Sequence, residues 1–311
     1  MQSTPGALFV VRMRIDPMQI SGKIIPIEVE VRGVSKSFRR EGGGRVEALR
    51  DLDLHVPAGS FVSILGPSGS GKSTLLGILA GLDAPDSGTV SLTPQGYQVP
   101  AEGGHVGPPL QPTPHSALRT PQLMVGYMPQ RDLLLPWRTA LDNSTVGLEV
   151  AGYSKAQARK GVLPLFREFG LEGFAHSYPS QLSGGMRQRV SFLRSAVLER
   201  GLMLLDEPFG ALDALTRANM HEWLISASER MGSTFLLVTH DVDEAILLSD
   251  RVYVLSPRPG RVIGRVEIEL ERPRALDSLN DERFAHYRKL LLDTLRSSGA
   301  LELGARAGGA R

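Results

Sequence analysis

The chain of 311 residues has no cysteine, which excludes disulfides and thiol chemistry and fits a reducing compartment. No apolar run approaches the ~20 residues that a membrane-crossing helix needs, so any membrane role is borrowed from a partner. An excess of one charge sign is missing too. The 35 Lys and Arg nearly cancel the 33 Asp and Glu, the pI near 9.0 reflects only that small imbalance, and nucleic acid is not an expected partner. The N-terminus, with Arg12 and Arg14 after a short apolar patch, lacks the pattern of a secretory signal. There is no heptad run, and His105 and His115 stand in no metal-ligand spacing. What remains is a globular composition with enough chain for one large domain or two.

One stretch organises the rest. Gly66, Pro67, Ser68, Gly69, Ser70, Gly71, Lys72, Ser73 and Thr74 lie between the apolar run Phe61 to Leu65 and the apolar segment Leu75 to Leu82. Strand, glycine-rich loop and helix in that order suit a phosphate. The glycines let successive N–H groups turn into one concavity, and the helix start adds positive potential. Lys72 then meets the outer phosphates and the Ser73 hydroxyl a Mg²⁺ ion. The plain alternative is a glycine-rich turn before a helix.

Along the chain, residues 1–26 read as a loose extension, with Met13 and Met18 as alternative starts. Ile27 to Val34 and Leu52 to Val56 alternate like half-buried strands, and between them Phe38 is an aromatic suited to stack on an adenine. Leu82 to Leu92 reads as a turn and a short strand, and Thr93 to Gln122, rich in Pro and Gly, as a passive excursion from a strand edge. A strand at Val125 to Met128 leads to Gln130 and then to helices over Ala140 to Ala151 and Lys155 to Phe169, the second interrupted near Pro164. Ser183 is placed to cap a helix whose first residues, Gly184 and Gly185, leave N–H groups uncovered, a second anion-binding start. Leu202 to Leu205 ends in Asp206 and Glu207, two carboxylates that are costly at the end of a buried strand unless they serve a cation or a reaction. A helix over Ala214 to Arg230, a strand Phe235 to Val238 ending at His240, strands at Arg251 to Leu255 and Arg261 to Leu270, and a helix over Asp281 to Leu295 complete the reading.

From Ile27 to Leu270 these residues resemble an ATP-binding-cassette (ABC) ATPase. Gly66 to Thr74 looks like Walker A, Leu202 to Pro208 like Walker B, and LSGGMRQ at Leu182 to Gln188 like the family signature. Gln130 matches the Q-loop glutamine, Ala211 to Asp213 the D-loop and His240 the switch histidine. More narrowly, Leu133 to Asn143, Asp206 to Arg217 and Thr239 to Val262 resemble the importer ATPases for nitrate, sulfonate and taurine, features shared by importers of thiamine pyrimidine precursors and bicarbonate. Two departures are the long Thr93 to Gln122 segment and Phe38 where the family often has Tyr.

The resemblance implies an α/β P-loop NTPase with a RecA-like core, an antiparallel β subdomain and an inserted helical subdomain over about 131–200, the cassette spanning 27–270 and a helix and tail 271–311. It implies ATP and Mg²⁺ as cofactors. Phe38, Gly66 to Thr74, Ser183, Gly184, Gly185 and Asp213 surround the nucleotide, and Ser73, Gln130 and Asp206 organise Mg²⁺. Lys72 neutralises phosphate charge, His240 senses the γ-phosphate, and Glu207 is the general base, aimed to the other side of the strand from Asp206. It further implies a head-to-tail dimer with each ATP shared between two copies, a transmembrane permease docked near Pro136 and Trp137, a solute-binding protein as indirect partner, and a place on the cytoplasmic face of the membrane. A soluble cassette ATPase acting on nucleic acid or ribosomes is the competing reading, opposed by the single signature and the lack of a coiled coil. A small-molecule kinase is opposed by LSGGMRQ.

Overall fold

The computed structural model describes residues 24–40, 43–96, 125–210, 212–272, 274 and 276–298. The expectations for residues 1–23, for most of the Thr93 to Gln122 excursion with His105 and His115, for Ala211 and for the tail from 299 lie outside these residues.

Five apolar strands form the centre: β3 (Phe61–Leu65), β5 (Val125–Met128), β6 (Leu202–Asp206), β7 (Thr234–Thr239) and β8 (Arg251–Leu255). They pair in parallel in the order β5-β6-β7-β3-β8, and β9 (Val262–Glu267) adds an antiparallel edge beside β8. The runs LMLL in β6 and FLLV in β7 are apolar throughout because both faces are covered. Met203, Leu205, Phe235 and Leu237 point into one core, and Leu202, Leu204, Leu236 and Val238 into the other.

The second core is closed by α1 (Lys72–Leu79) and by a three-stranded antiparallel sheet in the order β2-β1-β4, where β1 is Ile27–Arg39, β2 Arg45–Val56 and β4 Ser87–Pro94. β1 and β2 both extend beyond the alternating cores visible in sequence, because pairing with each other, from Val29 with Val56 to Arg39 with Arg45, continues the ladder. Thr93 and Pro94 belong to β4, paired with Glu28 and Ile27, so the excursion leaves the sheet later than its composition suggests.

The first core is covered by α6 (Gly184–Ala196), α7 (Ala214–Met231), α8 (Val242–Leu248) and α9 (Glu282–Ser297), with four short helices between β5 and α6. The expected helix over Ala140 to Ala151 is two pieces, α2 (Ala140–Ser144) and α3 (Val146–Val150). The Thr145 hydroxyl lies 3.1 Å from the Asp142 carbonyl and 2.8 Å from a Glu149 carboxylate oxygen, and the Asn143 side-chain amide shares its two N–H groups among the carbonyls of Leu135, Arg138 and Thr139. Side chains that bond nearby carbonyls compete with helix continuation. The second helix breaks at Pro164 as expected, into α4 (Lys155–Val162) and α5 (Leu165–Glu168). Trp223 of α7 packs on Phe169 and Phe192 with ring centroids 4.5 and 5.0 Å apart, joining these helices to the sheet.

Arg274 is 3% exposed and donates to the carbonyls of Ile246, Ser249, Ile268 and Leu270, tying the segment before α9 to the end of α8. Burial pushes its pKa down to about 10. Arg274→Leu strips these buried carbonyls of their donors and is expected to cost about 3 kcal/mol, read as a lowered midpoint in thermal denaturation.

Candidate active site

The glycine-rich loop leaves β3 and enters α1 with Gly71 at φ +92°, a left-handed conformation that disfavours any side chain. A Cβ there would also come within 2.6 Å of the Ala48 carbonyl oxygen, so β2 presses directly on the loop. Lys72 is 5% exposed, and its Nζ donates to the carbonyls of Gly66 and Pro67 at 2.8 and 2.9 Å. Burial lowers its pKa, opposed by the charges of Glu207 and Asp206.

A cleft of about 420 Å³ opens over this loop, lined by Phe38, Val46, Ala48, Ser68, Gly69, Gly71, Lys72, Ser73, Thr74, Gln130, Glu207 and Arg258. Phe38, one of these lining residues, is 43% exposed, with Lys36 Nζ 5.3 Å from its ring centroid. Gly66, Pro67 and Ser70, also expected at the nucleotide, are not among the cleft-lining residues, and Ser70 is fully buried.

Asp206 ends β6 and is almost fully buried. Burial raises its pKa, the Ser73 hydroxyl pulls it back, Glu207 adds to the rise and Lys72 opposes it. Its Oδ1 is buried without a hydrogen-bond partner. An orphaned carboxylate oxygen beside a serine hydroxyl fits a small hard cation that takes its other ligands from water and phosphate. Among the described residues no three His, Cys, Asp or Glu cluster as an all-protein cage, so the donor set suits Mg²⁺ better than Zn²⁺.

Glu207 was expected to point across the strand from Asp206 by simple alternation. Its geometry has another origin: β6 stops at Asp206, and Glu207 takes φ +47° while its N–H still bonds the Val238 carbonyl at 2.9 Å. A non-glycine residue in this region is strained, and such strain clusters at functional sites. The turn holds the carboxylate between two partners: Gln130 Nε2 donates to Oε2 at 3.0 Å, and His240 Nδ1 lies 3.4 Å from Oε1. Gln130 follows β5 and His240 follows β7, so three neighbouring strand ends converge on one group.

Beneath His240 is a polar cluster that sequence reading missed. Thr239 donates to Glu244 at 2.7 Å, His221 Nε2 lies 3.4 Å from the other Glu244 oxygen, and the His221 ring meets Phe209 edge-on at 4.6 Å. It braces the segment bearing His240 against α7 and the turn after Glu207. Arg258 was missed as well.

Ser183, Gly184, Gly185 and Asp213 are not among the cleft-lining residues. Ser183 caps α6 by accepting from the Met186 N–H at 3.2 Å, and Ser183 and Gly184 are exposed. Asp213, also exposed, caps α7 through the Thr216 N–H, a bond that lowers its pKa. The α6 start is therefore solvent-accessible at Ser183 and Gly184 and is not part of the cleft over Lys72.

Comparison with known proteins points to one family. The family described as ABC transporter matches residues 49–210, a span that holds the loop, Gln130, Ser183 to Gly185, Asp206 and Glu207. The formylaminopyrimidine import ATP-binding protein ThiZ of Halalkalibacterium halodurans is 39% identical over 246 residues, 79% of this chain and 87% of that protein. The taurine import ATP-binding protein TauB of Yersinia pseudotuberculosis is 41% identical over 221 residues, 71% of this chain and 78% of that protein. The dimeric structure of the bacterial ABC transporter cassette MJ0796 superposes with a TM-score of 0.66 at 30% identity, covering 78% of this chain and 100% of that one, and its post-hydrolysis dimer bound to ADP and Pi gives 0.65. With the loop, the two sheets and these relatives in agreement, the chain belongs to the ABC transporter family and has its P-loop NTPase fold.

Proposed function

We propose that this chain is the ATP-hydrolysing, energy-coupling subunit of a membrane importer for a small solute. The observation that carries the reading is Glu207, held between Gln130 and His240 at the mouth of the cleft that contains Lys72. Phosphoryl transfer to water needs charge neutralisation and a positioned nucleophile more than covalent chemistry. Mg²⁺, when bound, would supply part of that neutralisation, and Ser73, Asp206 and Gln130 are the residues that would hold it. The loop amides and Lys72 grip the phosphates, Phe38 stacks on the base, Glu207 polarises the attacking water, and His240 hydrogen-bonds the γ-phosphate.

The site is completed by a second copy. The α6 start is exposed at Ser183 and Gly184, half-buried at Gly185 and not part of its own chain's cleft, so it serves the nucleotide of the partner in a head-to-tail dimer, with Asp213 at the junction. The dimeric MJ0796 structures support this arrangement.

Force leaves through the segment after Gln130. Leu133 and Trp137 are 59% and 72% exposed there, which suits a permease contact. The same segment is bonded to the signature helix: Arg187 reaches Asp132 at 2.9 Å, and Arg194 reaches the carbonyls of Asp132 and Leu133 at 2.8 Å. Movement of α6 on nucleotide capture is thereby transmitted to the docking surface. No described helix is long and apolar enough to cross a membrane; as the partner of a permease, the chain is placed by this reading at the cytoplasmic face as a peripheral subunit. The relatives are named for different solutes, formylaminopyrimidine and taurine, which supports a small solute, with anions such as nitrate, sulfonate or taurine the favoured class, delivered by a solute-binding protein.

Isolation of the native complex from detergent-solubilised membranes tests the reading. An integral-membrane subunit is expected to co-purify; a native assembly without one overturns the importer role.

A further inference from the structure

Arg258 lies in the turn between β8 and β9 and lines the same cleft as Lys72. Its Nε donates to the Gly69 carbonyl at 3.1 Å. A Cβ at Gly69 would fall 3.2 Å from one of its terminal nitrogens, so the guanidinium lies along the loop backbone.

The turn that carries it is fixed. The Ser256 N–H bonds the Arg261 carbonyl at 2.9 Å, and the Ser256 hydroxyl lies 2.9 Å from the carbonyls of Pro257 and Pro259. Gly260 donates to the Ala48 carbonyl at 2.9 Å and packs so closely on the loop that a Cβ there would come 2.0 Å from the Ser70 carbonyl oxygen. An exposed arginine on a loose turn is a solvated charge; one whose backbone is docked on both β2 and the phosphate loop is held over the site.

Charge gives the position its meaning. Among the described residues lining the cleft, Lys72 and Arg258 are the cations and Glu207 the anion, with Asp206 a second carboxylate close enough to act on Lys72. Without Arg258 the side chains at the cleft set two carboxylates against one ammonium; with it they balance before any cation binds. A guanidinium that spends Nε on a carbonyl keeps its terminal N–H groups for a second acceptor.

We propose that Arg258 is a further nucleotide-binding residue, anchored on the Gly69 carbonyl and donating its terminal N–H groups to phosphate oxygens of the nucleotide gripped by Gly66 to Thr74. The inference rests on the ATP-binding reading of the cleft.

Calorimetric titration of full-length wild type, Arg258→Ala and Arg258→Lys with Mg-ATP and with ADP tests it, at low and high salt and alongside the denaturation midpoint of the unliganded protein. Arg258→Ala is expected to weaken Mg-ATP binding about tenfold at low salt, with the loss shrinking at high salt, and Arg258→Lys to stay within about threefold of wild type. An Arg258→Ala protein that binds like wild type overturns the inference alone. So does an equal, salt-independent loss in both variants, which marks a brace for Gly69 and not a phosphate contact. A wild-type protein that binds neither nucleotide removes the ATP reading and this inference together.

Discussion

Glu207→Gln is expected to abolish ATP turnover, by about 100-fold or more, while ATP still binds and the protein elutes as a dimer in size exclusion under saturating ATP and Mg²⁺. The substitution keeps the side-chain shape and removes one negative charge. The amide oxygen still accepts from Gln130, whereas its NH₂ now faces His240 or the water that the carboxylate would have polarised. The backbone at φ +47° is untouched, so the strained turn and its bond to Val238 persist. Because the loop, Lys72 and Asp206 remain, nucleotide is captured, and because it is not consumed, it continues to join two copies through their exposed Ser183 to Gly185 starts. Turnover above about a tenth of wild type removes Glu207 from the role of base. A monomer at saturating nucleotide removes the shared site.

Lys72→Ala is expected to lower ATP affinity about 100-fold, and rate with it. Two charge-assisted hydrogen bonds to phosphate, at about 1.5 kcal/mol each, give a factor of this order. Equilibrium titration with ATP measures the loss directly. The ammonium already sits within 3 Å of the Gly66 and Pro67 carbonyls, so phosphate binding needs only an exchange of acceptors at a placed donor. Its removal also leaves Asp206 and Glu207 without their nearest cation, and the raised Asp206 pKa rises further because the attraction that opposed it is gone. Protonation of Asp206 as pH falls therefore sets in at higher pH in the variant, and Mg²⁺-dependent binding is lost earlier on acidification. An affinity within about threefold of wild type shows that the cleft does not hold phosphate through Lys72.

Both predictions fall on residues that sequence alone brought forward, and the reason is local. A nine-residue loop of glycines, Lys72 and Ser73 carries its conformational needs and its chemistry in one uninterrupted segment, so its position after β3 and before α1 follows from neighbouring residues. The β6 strand, its terminal Asp206 and the Ser183 cap at the start of α6 are legible on the same grounds, through an apolar run, a costly carboxylate and an N-cap residue beside two glycines. The short-range pattern falters where side chains bond back to the chain: Thr145 and Asn143 break a helix that apolar spacing continues.

Other features came only from the tertiary structure. The aim of Glu207 depends on a left-handed turn secured by Val238, 31 residues away, and on Gln130 and His240 arriving from adjacent strands. Arg258 was invisible because a proline-rich turn carries no mark of the loop it touches, and its contact with Gly69 spans 189 residues. The sequence by itself determined which residues can grip phosphate and cation, since that capacity resides in residue type and immediate neighbours. The fold decided which of them share one cleft and which, at Ser183 to Gly185, stand outside it, because strand order and sheet pairing set distances that linear separation does not contain.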